Sequence, residues 1–297
     1  MSTAKTSSSY KLIKKIKDDK FDVDNLHNYA LSLQAGIRDF QFCVTDTKNN
    51  RCLILEDYKL EDVSTVNSRL QALHSLFDNH HLLLAGFWNS IKLSVKTHKF
   101  SLIPTQHFIK DAASDYLAVN SKLKPSVEEV LYYKHISSDA INVFASDIKL
   151  TNWIQSVYPK KKIQVVQQGS ALIEGILRYD DHTHEKTMFC YVDRGILHVV
   201  VTENQRLIYY NQFAVRKSND FLKYIMLVFK ELNLSQKDSK LLIWGHIKHQ
   251  SSHIELLKKY IRNVSFGSKP SYLGFSYHFD EIMDHQYFDV FSIFLCD

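Results

Sequence analysis

The sequence predicts a mixed-sheet α/β protein made of two tandem domains that share one plan, and two observations lead there. The first is an internal echo. Phe42 to Tyr58 reads FCVTDTKNNRCLILEDY and Val199 to Phe213 reads VVVTENQRLIYYNQF. In both, alternating apolar residues run into Val-Thr-acid, an Asn-bearing turn follows, and Arg opens a second run, the first turn being two residues longer. Alternation with a period of two marks a strand with one buried face, and Asn tolerates the left-handed backbone of a tight turn. The second observation is order. YALSLQA precedes the first pair and TMFCYVD the second, and a helical pattern follows each. After the first it runs from Ser64 to Asn79, with Val66, Leu70, Leu73, Leu76 and Phe77 at helical spacing. After the second it is SNDFLKYIMLVFKEL, with Ser218 placed to cap it.

Each half then continues in alternation. The first offers FSLIP, a helix around Gln106 to Val119, VLYY, INVFA, a helix around Ile148 to Val157, and IQVVQ. The second offers LLIWG, a helix around Ile254 to Ile261, and NVSFG. Three meandering strands followed by alternating helices and strands make a mixed-sheet α/β domain, here twice over. The polar stretch YDDHTHEK marks the boundary, giving an N-terminal tail over 1–25, a first domain over 26–179 and a second over 180–297. SALIEGILR leads into it. Its Ala171 and Gly175 stand four apart on one helical face, where small side chains admit another backbone, either at a domain junction or within a core.

Composition narrows the compartment and the partners. At 297 residues and 45% hydrophobic, the chain can fill two cores. Its net charge of +5 is diffuse, whereas nucleic-acid binding wants a concentrated basic face. Cys43, Cys52, Cys190 and Cys296 form no C-x-x-C pair, and three alternate with apolar strand residues, so buried thiols in a reducing cytoplasm are expected. MSTAKTSSSYKLIKKIKDDK lacks the apolar core of a secretory signal and is read as a solvated tail. LLLAGFW falls far short of the roughly 20 residues of a membrane helix.

Four stretches carry a family resemblance: KFSLIP, YLAVNSKL, SALIEGILR and YIRNVSFGSKPSYLGFSYHFDEIMDHQYFDVFSIF. By these the chain resembles a functionally uncharacterised bacterial family with an actin-like ATPase fold. That fold consists of two tandem ribonuclease-H-like domains with mixed sheets, and its relatives include actin-like proteins of pilus assembly and cell division. The resemblance implies where a nucleotide would sit. In nucleotide-binding members of the superfamily, the first-domain hairpin supplies an acid near the metal, the second supplies an Asp-x-Gly turn, and a glycine-rich turn lies under the base. Backbone N–H groups must approach phosphate oxygens closely there, and a carboxylate must hold hydrated Mg²⁺.

Against that pattern, Asp193-Arg194-Gly195 retains the second hairpin in outline. The first hairpin, SLQAGIRDF, has Gln34 where a carboxylate is expected, and Asp39 lies beyond the turn. LLIWGHI offers the single Gly245 between Trp244 and His246, whose bulk can fill the nucleotide space or line it. Eight glycines in 297 residues are well below the ~7% of average usage, which argues against three intact glycine-built loops. Asp193, Gly195, Gly245 and Gln34 are therefore the candidate remnant of a nucleotide cleft. No catalytic residue, metal site or cofactor is assigned, and the alternative is a divergent ATPase holding ATP with Mg.

The remaining constellations point less far. His246, His249 and His253 have helix-compatible spacing but no Cys or acid partner at ligand distance in sequence. His182 and His184 with Asp180, Asp181 and Glu185 sit on the polar boundary stretch and are read as solvated. A two-metal nuclease needs carboxylates on the first strand, and YALSLQA has none. FLKYIMLVF is apolar nearly all round, as in a buried helix. Tyr272, Phe275, Tyr277, Phe279, Tyr287, Phe288, Phe291 and Phe294 enrich the C-terminal region, either as core or as a partner-binding surface. The expectation is a cytoplasmic, non-catalytic scaffold or regulatory module with a protein partner, no nucleic acid and no membrane span.

Overall fold

A computed structural model describes residues 9–179 and 185–297. Asp180, Asp181, His182 and His184 lie outside the described residues. The chain groups into two compact units: unit 1 takes residues up to 134 with 140–168 and 274–279, and unit 2 takes 135–139, 169–273 and 280–297.

Unit 1 opens with β1 (Tyr10–Lys17), then the meander β2 (Tyr29–Ala35), β3 (Asp39–Asp46) and β4 (Arg51–Leu60). Helices α1 (Val66–Asp78) and α2 (His81–Leu84) and strand β5 (Ser90–Val95) follow. Next come β6 (Phe100–Pro104), α3 (Ala113–Ala118), β7 (Glu128–Lys134), β8 (Ala140–Asp147), α4 (Ile148–Val157) and β9 (Gln164–Gln167). The main sheet has the order β1-β4-β3-β2-β5-β9, and β6-β8-β7 form a separate three-stranded sheet.

Unit 2 contains α5 (Gln168–Tyr179, all but its first residue), β10 (Thr187–Asp193), β11 (Ile196–Glu203) and β12 (Arg206–Ala214). After these come α6 (Ser218–Glu231), β13 (Lys240–Gly245), α7 (Ser252–Lys258), β14 (Asn263–Phe266) and α8 (Phe288–Ser292). Its sheet runs β12-β11-β10-β13-β14. Without β1, the unit 1 sheet has the same sequence of strands, antiparallel through the meander and parallel from its first strand outward. The duplication predicted from sequence is thus the architecture, with the three-stranded sheet inserted between β5 and α4. The two-residue difference between the echoed turns is also present: Asp46 pairs with Arg51, whereas Glu203 pairs with Arg206.

Three elements differ from expectation. KLIKKIK is not a frayed tail; it forms β1, paired antiparallel with β4. Ile16 is buried, and Lys15 sets its ammonium 2.9 Å from the buried Glu56, its register partner. SIKLSV, not named as a strand from sequence, forms β5, with Ile91, Leu93 and Val95 alternating with a buried Lys92 and Ser94. The helix expected over Gln106 to Val119 is broken into two 3-10 turns and the short α3. The Tyr116 hydroxyl explains part of this by donating to the His107 carbonyl and accepting from the Ile109 N–H, which takes those groups out of a helical ladder.

Helix α6 is amphipathic rather than apolar all round. Phe221, Ile225, Val228 and Phe229 face the unit 2 core while Leu227 is exposed. Burying each of these four contributes roughly 1.5–3 kcal/mol. The C-terminal aromatics are mostly core as well: Phe279, Tyr287, Phe288 and Phe291 are buried, and Tyr277 is exposed. Gly175 has a reason within unit 2. A Cβ there would lie 2.2 Å from Ser292 Oγ and 2.8 Å from the Tyr272 hydroxyl, so α5 approaches α8 only as closely as glycine allows.

Two stability predictions follow from this packing. Gly175→Ala should lower unfolding stability by about 1–3 kcal/mol, measured by urea titration, because Ser292 has to move. For Glu56, burial alone raises the carboxyl pKa, but hydrogen bonds from His80, Tyr58 and Lys15 outweigh it and the net shift is downward. A lowered carboxyl pKa contributes stability above its unfolded value of about 4.3, and that contribution disappears as pH falls through the folded value. Glu56→Gln should therefore be less stable than the wild type near neutral pH, and the difference should close in acid.

Candidate functional site

The hairpin joining β10 to β11 is a two-residue turn, with Asp193 and Ile196 as its last pair. Arg194 and Gly195 both have positive φ, +46° and +86°, as a turn matching the strand twist requires. The Val215 N–H donates to the Gly195 carbonyl at 2.8 Å and draws the end of β12 against the turn. Asp193 is buried beneath it, with Arg194 Nη1 at 3.9 Å from its carboxylate. Its charge is felt next door: burial first, then Asp289 and Asp193, push the Tyr191 hydroxyl pKa up.

Gly245 ends β13 beside that hairpin. Its φ is +103°, and an added Cβ would lie 2.1 Å from the Val192 carbonyl oxygen. Its N–H donates to the His285 carbonyl, and the His246 N–H donates to the Val192 carbonyl, both at 2.7 Å. This hook separates the two bulky neighbours. Trp244 turns into the core, stacked on Phe189 and in ring contact with Tyr179 and Phe288, its indole N–H donating to the Ser268 carbonyl at 2.9 Å. His246 turns the other way and lines a cavity.

That open cavity, of about 720 Å³, is lined by Val192 and Gly195 from the hairpin, Val215 and Arg216 from the β12–α6 connection, Phe221 from α6, residues 246–251, His253 and Met283. Its volume is in the range of small-molecule sites. The lining contains Arg216, Lys248, His246, His249 and His253, and no Asp or Glu among the described residues. His249 stacks on Phe266 at 3.9 Å and His253 meets Phe221 edge-on at 5.4 Å. His285 stands behind His249 at 5.1 Å, its pKa lowered by burial and by the neighbouring His249 and His246. Among the described residues, no group of three or more His, Cys, Asp or Glu is arranged to hold a metal ion.

The corresponding hairpin of unit 1 is built differently. Four residues separate its last pair, Ala35 and Phe40, and the Gly36 N–H donates to the Asp39 carbonyl at 2.9 Å. A Cβ on Gly36 would lie 2.2 Å from Asp39 Oδ1, so the Asp39 carboxylate folds back under the turn, where it is paired with Lys96. Gln34 is fully buried. Its Nε2 donates to Gln41 Oε1 at 3.0 Å and its Oε1 accepts from Ser94 Oγ at 2.9 Å, joining β3, β2 and β5 through side chains. A smaller cavity of about 260 Å³ nearby is lined by Ala35, Ile37, Lys96, Arg69 and Asp147 among others, but not by Gln34.

Of the residues singled out from sequence, Gly195 lines the unit 2 cavity, Gly245 makes the hook beside it, Asp193 is buried under the hairpin, and Gln34 belongs to a polar network in unit 1. Sequence reasoning set Asp39 beyond the turn, whereas its carboxylate reaches back to it, and missed Arg216 and Lys248, which come from separate connections. The histidine spacing in WGHIKHQSSH was the one visible signal for the cavity. As for the group the resemblance implies, the cationic lining of the unit 2 cavity suits phosphate oxygens, whereas its donor set does not suit Mg²⁺, a hard cation that takes carboxylate and water oxygens.

Three solved structures share the arrangement. A protein from Bacteroides thetaiotaomicron with an actin-like ATPase fold and unknown function aligns with a TM-score of 0.74 at 20% identity, covering 83% of this chain and 93% of that one. The PilM-PilN type IV pilus biogenesis complex aligns at 0.61 and 10% identity, covering 90% of this chain and 97% of that one. The ethanolamine utilization protein EutJ from Carboxydothermus hydrogenoformans aligns at 0.50 and 8% identity, covering 95% and 93%. At these identities the likeness establishes the fold, which is that of the actin-like ATPases. No curated protein matches the chain. The family model described as protein of unknown function DUF3822 matches residues 18–264, and the chain belongs to that family.

Proposed function

We propose that this chain is a non-catalytic actin-like scaffold or regulatory protein-binding module in which the metal-dependent part of the nucleotide cleft has degenerated. The observation that carries this is the state of the unit 1 hairpin. Gln34 replaces the expected acid and is committed to Gln41 and Ser94, and Asp39 is committed to Lys96. Freeing Gln34 would take the hydrogen bond from the buried Gln41 Oε1, at a cost of about 1–3 kcal/mol. The pilus-complex neighbour supports a protein partner, since its fold occurs there in an assembly. The four free, buried cysteines support a reducing cytoplasm. No helix among the described residues is long and apolar enough to cross a membrane.

A second reading, a divergent nucleotide-binding ATPase using Asp193, Gly195 and Gly245 with ATP and Mg, is favoured by the cavity beside the unit 2 hairpin. Phosphate release from Mg-ATP by the purified chain separates the two. The proposal expects release at the no-protein background; turnover that disappears in Asp193→Ala would overturn it. Gln34→Glu gives an independent check, because it sets a carboxylate oxygen against Gln41 Oε1 in a fully buried position. We expect a loss of about 1–3 kcal/mol in urea unfolding, with no recovery on adding Mg²⁺. Recovery in Mg²⁺ would show that a metal position survives there.

A further inference from the structure

We propose that the unit 2 cavity binds a phosphorylated small molecule without a divalent metal, and that its histidines make this binding tighten as pH falls. The inference deepens the reading above, resting on unit 2 as the ligand-holding half of a non-hydrolytic chain. Three features lead to it. The cavity is large enough for a nucleotide-sized ligand at about 720 Å³. It adjoins the Gly195 turn, where a Cβ would meet only the Val215 carbonyl oxygen at 3.5 Å, so the missing side chain lets an anion approach backbone. Its charged lining is of one sign, with Arg216 and Lys248 as fixed cations and His246, His249 and His253 as proton-dependent ones.

The nearest acids are already engaged on each surrounding element. On the hairpin, Asp193 is buried beside Arg194. At the start of α6, Asp220 accepts from the Arg216 and Lys217 N–H groups at 3.1 and 3.0 Å. Next to Met283, Asp284 pairs with Lys269 at 3.0 Å. On α7, Glu255 is exposed and outside the lining. Behind the cavity, His285 is held toward its neutral form by burial and by His249 and His246. A phosphoanion entering here meets Arg216, Lys248 and the imidazoles, and a carboxylate to share Mg²⁺ is missing from the described lining.

The sign follows from linkage. Imidazole becomes cationic in the physiological range, and an anion stabilises the cationic form, so binding takes up protons and weakens as pH rises. One linked proton tightens binding by up to about tenfold per pH unit.

The test is calorimetric titration of the full-length protein with pyrophosphate and, separately, with ADP. Each is run in EDTA and in excess Mg²⁺, near pH 6 and near pH 8. The expected result is binding in EDTA that is at least about tenfold tighter at the lower pH. Lys248→Ala should weaken it about tenfold or more at both pH values, and His249→Gln or His253→Gln should flatten the pH dependence. Lys248 and His249 are exposed, so their variants should fold. ADP binding without pyrophosphate binding supports the site as nucleotide-specific; pyrophosphate binding supports one that reads phosphate alone. Binding that requires Mg²⁺, is independent of pH, ignores these variants or does not occur would overturn the proposal. Phosphate release from Mg-ATP would defeat the non-hydrolytic reading and leave a metal-free titration result standing, so the two failures are distinguishable.

Discussion

The fold of unit 2 depends on a contact that only glycine permits. At Gly245 the chain leaves β13 with positive φ and passes so close to Val192 that a Cβ would overlap its carbonyl. Two short backbone hydrogen bonds, to the His285 carbonyl and from the His246 N–H to Val192, hold that hook. It sends Trp244 into the core and His246 toward the cavity. It also fixes where the following segment, with Lys248 and His249, meets the β10–β11 hairpin. Open α/β sheets commonly hold ligands at the carboxyl ends of parallel strands, and the cavity lies at that end of β10 and β13.

The two units share a strand order and differ in how their hairpins close. Two residues suffice between β10 and β11, and both adopt left-handed φ, leaving the turn's backbone beside an open cavity. Four residues between the last β2–β3 pair, Ala35 and Phe40, leave slack, which the Asp39 carboxylate fills from below. Each acid near these turns is therefore spent internally, Asp39 on Lys96 and Asp193 under its own turn. An actin-like chain can keep its sheets through such changes, because sheet stability lies in burial and ladder hydrogen bonds rather than in the turn chemistry that binds a nucleotide.

Much of the fold was legible because the echo was written in alternation and turn residues, which depend on local physics. VTDTKNNR and VTENQR differ by two residues in sequence and by two in their turns. Failures came where tertiary contacts override local pattern. KLIKKIK looks like a solvated tail until Lys15 meets Glu56 across a strand pair, and SIKLSV alternates as if one face were solvated, yet its Lys92 and Ser94 are buried as well. The candidate site was less legible. Gly195 and Gly245 signal themselves by residue type, but the single-sign lining is assembled from the β12–α6 connection, the β13–α7 connection and Met283, which no local pattern links. Nor could the sequence show that Gln34 is closed off by Gln41 and Ser94, since that depends on register across three strands.

On the reading proposed above, this chain holds its ligand without a protein-bound divalent metal. Electron paramagnetic resonance of Mn²⁺, titrated with the protein in the presence of ADP, tests it most directly, because the signal of free Mn²⁺ falls when the ion binds. The account predicts no loss of signal beyond that caused by ADP alone. A protein-dependent loss that saturates at one ion per chain would contradict it and would mean that a carboxylate of this chain still holds the metal.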